Sequence, residues 1–185
     1  MKIQEAIKYL QENSKKRNFN QAIDLIVNIK GVNLKQPENR FVEEVYLPAK
    51  LSKPRKVMVI GDVIASKAKG IADVVLTKDE LMQYTGDKEN KKKFKKLIKN
   101  VDYLIAEAPL MVIIGKEFGR ILGSRGKMPK PLPPNADPKP IIERLKNTVR
   151  VKLKDVPLIQ TVIGYEDMKT EDIVKNYDAV MSTIV

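Results

Sequence analysis

The chain has 185 residues, 43% hydrophobic and 5% aromatic with no Trp, so a packed core is within reach but Ile, Val, Leu and Met must build it. Its 35 Lys and Arg against 23 Asp and Glu leave a formal charge of +12, an excess that repels itself in a compact fold unless a polyanion relieves it. Neither Cys nor His occurs, which removes disulfides, the usual zinc sites, His-based nucleophilic triads and the commonest general base, and makes an intracellular location the default.

Residues 2–14 place Ile3, Ala6, Ile7 and Leu10 at the i, i+3, i+4, i+7 spacing of an amphipathic helix, and this polar start is not a signal peptide. The period then becomes two: Ile23, Leu25, Val27 and Ile29 alternate with polar neighbours, a strand with one buried face that Gly31 ends. FVEEVYLP (41–48) predicts a second strand, paired antiparallel to the first and stopped by Pro48. LSKPRK (51–56) is short, polar and interrupted by proline, as a hinge would be. No run of about eighteen apolar residues follows anywhere, so no membrane span is expected.

From residue 57 the pattern changes. Val57 to Ile60 is a continuous apolar run, as expected of a strand covered on both faces, and ADVVL (72–76) and VDYLIAEA (101–108) read similarly. Thr77 with Glu80 has capping-box spacing and starts a helix. A helix with seven lysines runs over 88–99 on an apolar stripe of Phe94, Leu97 and Ile98, and another covers 109–118. GRILGSRGKMPKPLPPNADPKP (119–140) has six prolines after residue 128, too many for a helix or an inner strand, and reads as a structured loop. Pro138 and Pro140 open the helix PKPIIERLKNT. VRVKL (149–153) and PLIQTVIG (157–164) are strands again, and Thr170 caps a last helix bearing Ile173, Val174, Tyr177 and Val180.

The fold class is therefore α/β. A discontinuous α+β outer domain, residues 1–55 plus 149–185, carries an inserted Rossmann-like α/β domain at 56–148, and the double crossover permits hinge motion. The basic surplus has two centres: eleven basic against six acidic residues in 1–55, nineteen against eleven in 56–148, and five against six in 149–185.

KKRNFNQ (15–21) combines cations that contact phosphates, amides that read base or ribose edges, and an aromatic that packs on them. The same residues also fit a helix C-terminus with dipole-stabilising cations followed by a core Phe. The lysine helix fits an ordinary solvated face, on which Lys93→Ala changes little. In the glycine-rich loop Arg120, Arg125, Lys127 and Lys130 form a secondary basic set, and glycine lets backbone approach phosphates. It fails as a Walker A loop, because Ile121 stands where Gly is needed and Met128 where a hydroxyl is needed, and it follows a helix rather than a strand. Glu43 and Glu44 are adjacent on a strand and face opposite sides, so they are not an acid/base pair.

GRILGSRGKMPKP closely resembles the hallmark G-R-x-L-G-P-R-G-x-M-P-x-P of the large-subunit ribosomal protein L-one family, with Ser124 where Pro is usual. RNFNQAIDLIVNIKGVNLKQPENR resembles the family's archaeal branch, and EVYLPAKLSKPRKVMVIGD its second strand, Leu-Pro and hinge. The resemblance runs through the whole chain. It implies a non-enzymatic protein of the cytoplasmic ribosome without a cofactor, and a monomer in isolation is the default expectation. Such a protein binds large-subunit rRNA at the mobile stalk near the tRNA exit site and represses its own mRNA, with deacylated tRNA as a further partner.

The RNA-binding positions that match are Arg17, Asn18, Phe19 and Gln21, with a second patch at Gln160 and Gly164. The family continues into a strand with a Thr-Met-Gly motif on the RNA surface, which a chain ending at Val185 is expected to lack. Two other readings compete: a nucleotide-dependent enzyme on the α/β middle domain, and a non-specific RNA chaperone.

Overall fold

The computed structural model describes residues 2–184. In chain order its elements are α1 (Ile3–Asn13), β1 (Ala22–Asn28), β2 (Phe41–Tyr46), β3 (Val57–Ile60), α2 (Val63–Ala68), β4 (Val74–Leu76), α3 (Lys78–Gln83), α4 (Lys88–Lys99), β5 (Tyr103–Glu107), α5 (Met111–Ser124), β6 (Lys130–Leu132), α6 (Lys139–Lys146), β7 (Thr148–Leu153), β8 (Leu158–Tyr165) and α7 (Thr170–Ile184). The mixed α/β class is as the sequence predicts. The chain divides into two compact units, one formed by residues up to Pro54 together with those from Asn147 onward, the other by Arg55–Lys146.

In the first unit, β1 and β2 do not pair with each other, contrary to the sequence expectation. β1 pairs antiparallel with β8, from Ala22 opposite Tyr165 to Asn28 opposite Leu158, and β2 with β7, from Phe41 opposite Leu153 to Tyr46 opposite Thr148. Residues 29–40 form a long loop rather than a hairpin turn, so sequence neighbours need not be partners. β7 and β8 also carry more buried side chains than the alternating β1 and the mostly exposed or half-buried β2, whose patterns suit a less covered place. α1 and α7 contribute Ile7, Ile173 and Val180 to a core with Val149, Val151, Ile159 and Ile163. The fully buried Asn176 of α7 is satisfied: its Nδ2 donates to Ile163 O (2.9 Å) and Ala49 O (3.2 Å), and its Oδ1 accepts from Ala49 N (2.9 Å). Thr170 is the first residue of α7, and its hydroxyl donates to Gln11 Oε1 at 3.0 Å, tying α7 to α1.

The second unit is a parallel sheet in the order β4-β3-β5-β6. Met58, Ile60, Leu104 and Ala106 pack with Phe94, Ile98, Ile114 and Phe118 of α4 and α5. The alternate residues Val57, Val59, Tyr103 and Ile105 pack with Ile64, Ala68, Ile142 and Leu145 of α2 and α6. Cover on both faces is why VMVI is apolar throughout. Thr77 Oγ1 accepts from Glu80 N and the Glu80 carboxylate accepts from Thr77 N, the capping box the spacing implies.

The structured loop expected at 119–140 is partly regular. α5 runs on to Ser124 because Ile114, Phe118 and Leu122, four apart, continue its buried stripe, while Gly115, Gly119 and Gly123 face open space and disturb nothing. Lys130–Leu132 forms the edge strand β6, where Pro131 costs the sheet little. The six-residue helix α2 has no expectation behind it, being too short to show a period.

Candidate nucleic-acid interface

α1 stops at Asn13 and the chain runs exposed through Lys15, Lys16, Arg17, Asn18 and Phe19 before β1 begins. Phe19 is 60% exposed, so it is not a core residue, and the Arg17 guanidinium carbon lies 5.9 Å from its ring centroid. A flat aromatic face with a cation stacked beside it is a platform for a base or ribose, with the charge placed for a phosphate.

The base of this loop is clamped. Gln21 Nε2 donates to Lys15 O (2.9 Å) and to Glu166 Oε2 (3.1 Å), Gln21 N donates to Glu166 Oε1 (3.3 Å), and Glu166 N returns a bond to Gln21 O (3.0 Å). Gln11 Nε2 holds the same corner through Glu166 O (3.1 Å) and Met168 O (2.8 Å). Gln21 therefore fixes the loop that presents Phe19. Nothing in the sequence singles out Glu166, its partner 145 residues away.

Asn20 is a second residue the sequence reading missed. Its Oδ1 is buried with no hydrogen-bond partner, an acceptor beside Phe19. The Ser52 hydroxyl donates to Asp167 at 2.7 Å and holds that carboxyl below its ordinary value, against the opposing effect of burial, and the Asn20 side chain adds to the lowering.

The two β8 positions are placed differently. Gln160 is exposed opposite Ile26, and its Nε2 donates diagonally across the ladder to Asp24 Oδ2 at 3.1 Å. Gly164, opposite Ile23, is buried, and a Cβ there would lie 2.7 Å from Ile173 Cγ1 of α7. Its lack of a side chain serves close packing of α7 on the strand. Arg17, Asn18, Phe19 and Gln21 thus stand together at the start of β1, with Gln160 about 13 Å along the ladder at roughly 3.3 Å per residue.

The secondary basic set does not form one surface. Arg120 is exposed on α5. Arg125 Nη1 donates to Lys95 O (3.4 Å), while Lys127 Nζ donates to Ile98 O (3.0 Å) and to Val101 O. Both cations therefore meet the carbonyl end of α4, where the helix dipole is negative. Lys130 lies on β6. In α4 itself, Lys91 pairs with Glu117 at 3.2 Å and the other lysines are exposed.

At the carboxyl end of the parallel sheet, where α/β proteins bind nucleotides, the second unit carries a carboxylate of its own. Glu107 Oε1 accepts from Asp62 N (2.9 Å), Val63 N (2.7 Å) and Ile64 N (3.0 Å), the donors a phosphate would use at the start of α2. Gly61 admits it, since a Cβ there would lie 2.6 Å from Glu107 Cδ. Among the described residues no cluster of three or more Asp or Glu is placed to hold a metal ion, and no helix is long and apolar enough to cross a membrane.

Residues 10–185 match the model of the ribosomal protein L1p/L10e family. A protein of Methanothermobacter thermautotrophicus named large ribosomal subunit protein uL1 is 45% identical over 184 residues, covering 98% of this chain and 85% of its own length. Proteins of the same name from Archaeoglobus fulgidus (42% identical, 98% and 82% covered) and Methanocaldococcus jannaschii (41%, 97% and 81%) are similar over the same extent.

Proposed function

The chain belongs to the ribosomal protein L1p/L10e family, and from that premise we propose that it is a structural, non-enzymatic component of the large subunit of the cytoplasmic ribosome that binds stalk rRNA through the surface at the start of β1. The observation that carries the RNA reading is the exposed Phe19, flanked by Arg17 and braced from below by the Gln21–Glu166 clamp. Phosphate contacts supply much of the affinity in such an interface, and a rigidly held aromatic with neighbouring amides fits one RNA shape. The same surface would bind the protein's own messenger where that carries a like fold, which would make it a translational repressor. Deacylated tRNA at the exit site is the further partner of this reading.

Glu107 speaks against a nucleotide-dependent enzyme, because it fills the place a nucleotide phosphate would take. The test is a salt titration of binding to a stalk rRNA transcript beside an unrelated hairpin of equal length. Stalk binding should persist at salt that releases the hairpin, and equal steep slopes would reduce the protein to a polycation. Phe19→Ala should weaken stalk binding by about 1–3 kcal/mol, the range for aromatic contacts to bases, and an unchanged affinity would remove Phe19 from the interface.

A further inference from the structure

The far end of the β1–β8 ladder carries a second constellation of cations. There the loop between β1 and β2 meets the turn between β7 and β8, joined by Ile29 N donating to Pro157 O at 3.0 Å. Two adjoining basins of 360 and 340 Å³ open at this junction. Arg40 and Asp155 line both, Lys35 adds a cation to the first and Lys154 to the second, and the remaining walls are mostly apolar.

The loop is built rather than slack. Asn39 Nδ2 donates to Asn33 O (2.9 Å) and Gln36 Oε1 (3.2 Å), and Asn33 Oδ1 accepts from Lys35 N (3.1 Å). Arg40 Nε donates to Leu34 O at 2.7 Å, which anchors the guanidinium and leaves its terminal nitrogens without a partner among the described residues. Neither Lys35 nor Lys154 has an ion-pair partner among the described residues. Three cations around one carboxylate, over apolar walls, match an anion that also carries a flat or weakly polar body.

The geometry points to a nucleotide pocket for RNA. Lys35, Arg40 and Lys154 hold phosphodiester oxygens, the apolar walls take a ribose or base, and Asp155 accepts from a ribose 2′-hydroxyl. This inference rests on the RNA reading above and extends it. The seven residues of β1 span about 23 Å, so the RNA contacts the ladder at both ends, Phe19 at one and this basin at the other.

The experiment measures the salt dependence of stalk-transcript binding for the full chain, for Phe19→Ala, for Lys35→Gln/Lys154→Gln, and for the charge-matched Lys93→Gln/Lys96→Gln. Among the described residues neither the Lys35 nor the Lys154 side chain donates a hydrogen bond, so the basin variant should fold normally. It is expected to bind about tenfold more weakly and to lose about one to two from the slope of log K against log salt, as two released phosphate contacts require. The α4 variant should show neither change. If the basin variant behaves like the α4 variant while Phe19→Ala still weakens binding, the pocket is wrong and the RNA reading stands. If the unaltered chain does not prefer the stalk transcript over the hairpin, the RNA reading falls and the pocket with it.

Discussion

Two stretches of this chain have the same outward character, cations set among glycines or amides with few large apolar residues, and the structure uses them in opposite ways. In KKRNFNQ (15–21) the cations and the aromatic are exposed, while Asn20 and Gln21 are partly buried and Gln21 clamps the base of the loop that holds the others out. In GRILGSRGKMPK (119–130) the first half is helix, and Arg125 and Lys127 turn inward to the carbonyl end of α4. A basic stretch therefore has two ways to satisfy its charge: an external anion or the protein's own unpaired carbonyls. The second use leaves the stretch little to offer a ligand. What decides between them is whether the folded chain brings the cations within reach of a helix's carbonyl end, which composition does not report.

The sharpest way to break this comparison is to remove the inward cation. Lys127→Ala should destabilise the second unit by about 2 kcal/mol, since bonds from a charged donor are worth about 1.5–3 kcal/mol, while leaving RNA affinity unchanged. Urea denaturation and binding to the stalk transcript, measured on one preparation, check the two halves. A protein of unaltered stability that binds RNA less well would return this loop to the interface and erase the difference between the two stretches.

Gly164 sharpens the comparison from the other side, because it stands on the β1–β8 ladder but faces inward. Gly164→Ala should cost about 1–3 kcal/mol of stability, the usual range for overpacking, as the new methyl meets Ile173 of α7. Compensating Ile173→Val should restore part of the loss. Thermal unfolding of the single and double variants reads this, and an alanine variant as stable as the parent would mean that α7 shifts freely and that packing is not the reason for glycine here.

Legibility in the sequence follows the range of the interaction. The capping box of Thr77 and Glu80 is four residues long and was readable, as were the buried runs of β3 and β5, because both faces of those strands are covered. Pairing of β1 with β8 links residues 130 or more positions apart, and the nearer β2 is the natural but wrong partner. The prolines after residue 128 make the whole of 119–140 read as a loop, yet the Ile114, Phe118 and Leu122 spacing carries α5 to Ser124. In the candidate site, Phe19 and its polar neighbours were visible as residue types. Glu166 and the orphan Oδ1 of Asn20 were not, since their roles exist only once distant segments meet.

The smallest expected effect concerns the lysines of α4, which belong to neither use. Their helix buries Phe94 and Ile98 and turns its lysines to water, with Lys91 paired to the Glu117 carboxylate. A lysine on such a face adds to binding only as a screened charge, because no pocket or aromatic fixes the geometry of its ammonium. Lys93→Ala should therefore move the Kd for the stalk transcript by less than about twofold at physiological salt, where charges beyond roughly 8 Å are screened. A loss near that expected for Lys35→Gln/Lys154→Gln would instead make α4 an RNA surface. The second unit would then hold both kinds of basic stretch, and the contrast between inward and outward cations would run within it rather than between the two units.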